Sequence, residues 1–151
     1  MKAVIQRVNK ACVKIDSKKI SEIEKGLVVL LGVSCDDTEQ DINLMVEKIK
    51  NLRIFQDAQG KTNISIKDKN GEVLIVSQFT LLADLEKGRR PSFTNAALPQ
   101  KAEDFYNQVI KYLSNAGVKV KSGKFKEYMQ VELINDGPVT LIYDTKERNK
   151  S

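Results

Sequence analysis

The spacing of hydrophobic positions changes along the chain, and the changes mark its elements. Residues 3–8 are apolar except for Gln6 and Arg7, and beyond them Val13 and Ile15 alternate with Cys12, Lys14 and Asp16. Alternation with a period of two belongs to strands with one wet face. Residues 16–19 read as a turn. The run Leu27 to Leu31, set between Gly26 and Gly32, is apolar at every position and predicts a central strand buried on both faces. The period then lengthens. Ile42, Met45, Val46, Ile49 and Leu52 form one continuous helical stripe, predicting a helix from Thr38 to about Leu52. Thr38 with Asp41 resembles a capping box, and the acids of the first turn suit the positive end of the helix dipole.

Further along, Ile54 and Phe55 suggest a short strand, residues 56–63 a polar loop around Gly60, and Asn70-Gly71 a turn before a strand at 73–76. Residues 85–98, with Gly88 and Pro91, look irregular. The pattern is clearest at residues 100–116, where Ala102, Phe105, Tyr106, Val109, Ile110, Leu113 and Ala116 share one helical face. Pro99 at the entry and Gly117 at the exit are the expected helix signals. Two strands, 129–134 and 139–143, finish the fold, and the chain after Asp144 is polar and expected to fray. The order implies a mixed α/β fold: a single domain over residues 1–145 in which two amphipathic helices cover a sheet, with a polar tail at 146–151.

At 151 residues the chain has about one domain's length, and 41% hydrophobic with 30% charged residues fits a soluble globular protein. The most restrictive count is zero histidines, which excludes Ser–His–Asp and Cys–His catalysis and histidine-ligated zinc. The two cysteines, Cys12 and Cys35, cannot make a four-thiolate site or a CxxC motif. No metal or cofactor is expected. The net charge of +5 is unevenly placed: Lys111, Lys119, Lys121, Lys124 and Lys126 lie in a stretch without an acid, and Lys87, Arg89 and Arg90 form a second group. Both fit a polyanionic partner, and equally a solvated basic surface. Gln6 and Arg7 break any signal-peptide core, and the longest apolar run, 26–33, is far below the ~20 residues of a membrane span. The cytoplasm is the expected location.

Two segments carry candidate chemistry. Ser77-Gln78-Phe79-Thr80-Leu81 follows the buried strand 73–76, at a position where polar residues and free backbone amides often line a site. An ordinary strand end is the plainer reading. Asn135-Asp136-Gly137-Pro138-Val139-Thr140 separates the last two strands. Its Gly–Pro bond is one of the few that adopts a cis peptide at low cost, turning two carbonyls toward a ligand; a rigid turn is again the plainer reading.

Together the two segments resemble the paired motifs of the D-aminoacyl-tRNA deacylases. The likeness extends to Ala3-Val4-Ile5-Gln6-Arg7-Val8, Gly26-Leu27, Leu31-Gly32-Val33, Asn51-Leu52-Arg53-Ile54-Phe55 and Lys87-Gly88-Arg89-Arg90-Pro91-Ser92-Phe93. It implies a barrel-like sheet and a homodimer with the active site at the subunit interface. Ser77, Gln78, Phe79 and Thr80 of one subunit would line the catalytic pocket. Gly137 and Pro138, joined by a cis bond and held by Arg7, would enter from the other subunit and reject L-amino acids. Phe125 and Met129 match positions near the terminal adenine, and Lys87, Arg89 and Arg90 would meet the tRNA. The implied reaction is hydrolysis of the ester joining a D-amino acid, or glycine mischarged on alanine tRNA, to the terminal adenosine. One departure stands out. The family usually has Gly-x-Phe-Gly-Ala-x-Met where this chain reads Gly123-Lys124-Phe125-Lys126-Glu127-Tyr128-Met129, with Lys126 and Glu127 replacing two small residues.

An aminoacyl ester is already activated, so oriented water and a stabilised oxyanion supply much of the needed catalysis, with backbone N–H groups around Gln78–Thr80 as the expected donors. Thr80 is a candidate nucleophile without an evident base, and the family resemblance points instead to the ribose 2′-hydroxyl of the substrate. A non-enzymatic RNA-binding protein and a hydrolase of another small ester or amide are the alternative readings.

Overall fold

The computed structural model describes residues 1–86 and 88–147. Strand β1, Lys2–Ile15, is the spine of the fold, longer than the two segments its sequence suggests. Along one edge it pairs first with β3, Gly26–Gly32, and then with β2, Lys18–Ile23; along the other it pairs with β8, Gln130–Asp144. All three pairings are antiparallel. Beyond β3 the sheet continues in parallel through β6, Glu72–Ser77, and β7, Lys119–Ser122. Helix α1, Glu39–Asn51, and helix α2, Pro99–Asn115, pack together over one face. Strands β4, Arg53–Gln56, and β5, Thr62–Ser65, form a separate hairpin.

The side-chain parity of β1 explains why the sheet curls. Ala3 and Ile5 face the helices, with Leu27, Val29, Leu31, Val73 and Ile75 in the same cluster. Val8, Ala11 and Val13 all point into a second cluster with Val28, Leu74 and Val76. Strict alternation cannot place both an even and an odd position on one face. The ladder supplies the missing residue: Val8 pairs with Asn135 but Lys10 pairs with Ile134, so Asn9 is extra. A bulge of this kind flips the faces and increases twist. The curled sheet packs Val131 and Leu133 of β8, with Met129 just before it, against the cluster that holds Val76, nearly closing a barrel. β3, buried on both faces, is the central strand its composition predicts.

Both helices follow their predicted stripes, with Ile42, Met45, Val46 and Ile49 buried on α1 and Tyr106, Val109 and Leu113 on α2. Gly117 has φ 86° just past the end of α2, the expected left-handed stop. Four elements differ from expectation. The turn after β1 is tight, with Asp16 at φ 47° and Ser17 at φ 64°, so residues 18–23 return as a strand. The polar loop 56–63 ends in β5, and the lysine-rich segment 119–122 is edge strand β7. Residues 130–144 form one strand, not two joined by a turn: both halves run antiparallel to β1.

The polar segment after Asp144 is ordered at its start. Thr145 is buried and donates a 2.6 Å hydrogen bond to Asp41. The Met1 ammonium in turn donates to Thr145 Oγ1 and to Asp37 Oδ1, each at 2.6 Å. Lys146 reaches Asp41 at 3.1 Å. Burial alone would raise the Asp41 carboxyl, but bonds from Thr145, the Thr38 backbone, Lys146 and the Thr38 hydroxyl hold it well below the usual carboxylate range. Among the described residues no helix is long and apolar enough to cross a membrane.

Candidate active site

β6 is buried through Val76 and delivers the half-buried Ser77 to the surface beside the end of β3. The Gln78 amide donates to the Leu31 carbonyl at 2.8 Å, and the chain then enters a 3₁₀ turn, Phe79–Leu82. The close crossing depends on Gly32, whose added Cβ would lie 3.0 Å from the Gln78 carbonyl and overlap Leu82. A helical turn leaves its first N–H groups without partners inside the turn. Leu81 closes the turn on Gln78, and among the described residues the amides of Phe79 and Thr80 have no backbone partner. The Gln78 amide, one of the donors expected from sequence, is already committed to Leu31.

The Thr80 hydroxyl accepts a short hydrogen bond from the Gln78 side-chain amide. Among the described residues no carboxylate or amine hydrogen-bonds it. Phe79 is 55% exposed and meets Phe93 edge-on, with ring centres 4.9 Å apart.

These residues open onto a cavity of about 550 Å³ lined by Ser77, Gln78 and Phe79 on one side and by Phe125 and Met129 on another. Two of the segments predicted from sequence therefore converge. Tyr106 fixes their spacing: its hydroxyl donates to the Ile75 carbonyl at 2.9 Å, and its ring lies 5.9 Å from that of Phe125. Burial pushes the Tyr106 phenol up to about 12, so it remains a neutral donor. Met129 accepts the Lys124 amide through sulfur at 3.3 Å. Thr80 is exposed and does not line the cavity.

Gly137, Pro138 and Arg7 do not line it either. The Gly137–Pro138 bond is cis, as its sequence suggested, and sits in a wide bulge. Gln6 pairs with Thr140 and Val8 with Asn135, so four residues of β8 stand opposite Arg7 alone. Arg7 holds them through Nε to the Asp136 carbonyl at 2.9 Å and Nη1 to the Ile54 carbonyl at 2.5 Å. Asn135 closes the bulge, accepting the Val139 amide at 2.8 Å and donating to the Val139 carbonyl at 3.1 Å. Gly137 and Pro138 are nevertheless exposed. Arg89 and Arg90 are exposed as well, in a loop closed by pairing of Asp84 with Ser92; Lys87 lies outside the described residues.

Residues 93–98, which looked merely irregular, supply Phe93 and Leu98 to the cavity, and Leu98 is 79% exposed. The available signal was apolar residues within a Gly- and Pro-containing loop that no helix or strand period absorbs. Tyr128 is another lining residue that the spacing does not reveal.

The sequence model of the family described as D-Tyr-tRNA(Tyr) deacylase matches residues 4–144. The chain belongs to the D-Tyr-tRNA(Tyr) deacylase family. Among its relatives, a D-aminoacyl-tRNA deacylase of Dictyoglomus turgidum is 54% identical over 150 residues, covering 99% of this chain and 96% of that protein. One of Caldicellulosiruptor saccharolyticus is 52% identical, covering 97% and 99%. Among solved structures, the c-Myc DNA Unwinding Element Binding Protein superposes with a TM-score of 0.91 at 45% identity, covering 96% of this chain and 99% of that one. A structure titled as a probable eukaryotic D-amino acid tRNA deacylase shares the fold, with a TM-score of 0.83 at 16% identity. Membership of the D-Tyr-tRNA(Tyr) deacylase family makes the protein a hydrolase of the aminoacyl-tRNA ester class.

Proposed function

We propose that the protein hydrolyses D-aminoacyl-tRNA while sparing the L-form, using backbone groups and the substrate rather than an activated side chain. The carrying observation is the pair of amides at Phe79 and Thr80, without partners among the described residues, beside the cavity that Ser77, Gln78 and Phe79 line, with the Thr80 hydroxyl outside that lining and bonded among those residues to the Gln78 side-chain amide alone. Phe125 and Met129 hold the terminal adenine, which brings the ester carbonyl to residues 77–80. Water attacks that carbonyl, and the two amides receive the oxyanion; one such donor is worth about 10²–10³ in rate. The ribose 2′-hydroxyl assists, and the 3′-oxygen leaves with the proton. Glycine attached to alanine tRNA passes by the same route because it has no side chain to reject.

Chiral selection falls to Gly137 and Pro138, presented to the cavity by a second copy. Within one chain they lie exposed outside it, and the strand that carries them has a free edge: among the described residues β8 pairs only with β1. Ile134, Leu141 and Ile142 on β8 are exposed at 50%, 37% and 75%, the apolar surface a partner would cover. Arg89 and Arg90 meet tRNA phosphates, and the enzyme works in the cytoplasm.

Matched D- and L-tyrosyl-tRNA test the proposal. Rapid release from the D-form alone is expected; equal release from both would defeat chiral selection. Salt-sensitive binding without release would favour a nucleic-acid-binding protein, the activity that the name of the unwinding-element relative carries.

A further inference from the structure

Between the two half-buried residues assigned to the terminal adenine, Phe125 and Met129, the chain projects outward. Lys126, Glu127 and Tyr128 all line the same cavity, yet all three are exposed, and Tyr128 is 91% so. Among the described residues Tyr128 has no ring contact or hydrogen bond and Lys126 no ion pair. Glu127, by contrast, is held 3.4 Å from Lys124, and its amide donates to the Lys124 carbonyl at 3.3 Å. That turn leaves Lys126 as the uncompensated cation. Lys126 also adopts φ 66°, a conformation that costs an L-residue energy and glycine almost nothing. An exposed aromatic ring and a strained, unpaired cation thus stand together at the mouth of the pocket. Strain of this kind persists where the surroundings or a function enforce it.

Resting on the deacylase reading, we propose that this turn grips the nucleotide preceding the terminal adenosine. Tyr128 stacks on its base, and Lys126 faces the phosphate joining the two nucleotides. With the terminal adenine between Phe125 and Met129, the next residue of a single strand must pass the turn that joins them. Single-stranded RNA is held by the same combination elsewhere, aromatic stacking with cations along the backbone. The turn would therefore act as a positioning device that lowers KM for tRNA without touching the reacting ester.

The test compares kcat/KM on D-tyrosyl-tRNA with that on the D-tyrosyl ester of adenosine alone, which lacks the preceding nucleotide. For Tyr128→Ala the tRNA-to-adenosine ratio should fall about 5- to 100-fold through KM, and Tyr128→Phe should restore it. Lys126→Gly relieves the backbone and keeps the fold; it should flatten the salt dependence on tRNA by about one unit of log–log slope. An unchanged ratio in Tyr128→Ala would overturn the stacking role. So would equal losses on both substrates with a weakened dimer, which would place Tyr128 beneath the second copy. Wild-type protein inert toward both substrates would instead bring down the deacylase reading, and this inference with it.

Discussion

The segments 77–80 and 135–140 are both built from backbone, but the chain treats them in opposite ways. The first lies at the end of a buried parallel strand and opens into a cavity of its own subunit. The second is braced by Arg7 and Asn135 as firmly as a buried turn, yet Gly137 and Pro138 face outward. Precise geometry on an exposed surface serves something outside the chain. On the proposed reading the first segment performs chemistry where it stands, whereas the second is shaped for presentation to a neighbour.

Breaking the first segment should have the largest effect. Phe79→Pro removes one unpaired amide while suiting the first position of a helical turn, whereas Phe79→Ala removes only the ring. The proline variant should lose about 10²–10³-fold in kcat relative to the alanine variant in single-turnover assays. Equal rates would remove that amide from the mechanism. In the second segment Gly137 has φ 153°, and an added Cβ would lie 2.7 Å from the Val139 amide nitrogen. Gly137→Ala should displace the bulge and lower kcat/KM for D-tyrosyl-tRNA by about 100-fold, with the melting temperature little changed.

Away from both segments, the charges around Asp41 should affect stability rather than turnover. Its folded pKa is depressed, so its contribution is present above the unfolded value of about 4 and is lost as pH falls through and below that value. Asp41→Asn should cost about 1–3 kcal/mol in urea unfolding at pH 7, a gap that narrows toward pH 2. The exposed Lys14–Glu132 pair, 2.6 Å apart, sets the lower end of the scale: Glu132→Gln should leave the urea midpoint unchanged within error.

Burial governed what could be read in advance. β3 and the two helices bury most of their stripes, so hydrophobic period alone located them. β2, β5 and β7 pair through their backbones while displaying lysines, threonine and asparagine to water, and periodicity has nothing to detect in such edges. The bulge at Asn9 was equally hidden, because it appears only as a change of face between Ile5 and Ala11. Among the candidate segments, Ser77 to Thr80 and Gly137–Pro138 were legible as motifs, and the cis bond as one that a Gly–Pro pair adopts at low cost. The commitment of the Gln78 amide to Leu31 was not, since a backbone partner leaves no mark on side-chain order. Nor was the exposure of Tyr128, which depends on the turn between Phe125 and Met129.

The most direct test of a site made from one subunit's amides and another's Gly–Pro bulge is complementation. Phe79→Pro and Gly137→Ala proteins are assayed separately, then mixed under conditions that exchange subunits, with D-tyrosyl-tRNA as substrate. Random pairing gives one intact site in each mixed dimer, so activity should recover to about a quarter of wild type. A mixture that forms mixed dimers and stays as inactive as either variant alone would contradict the account.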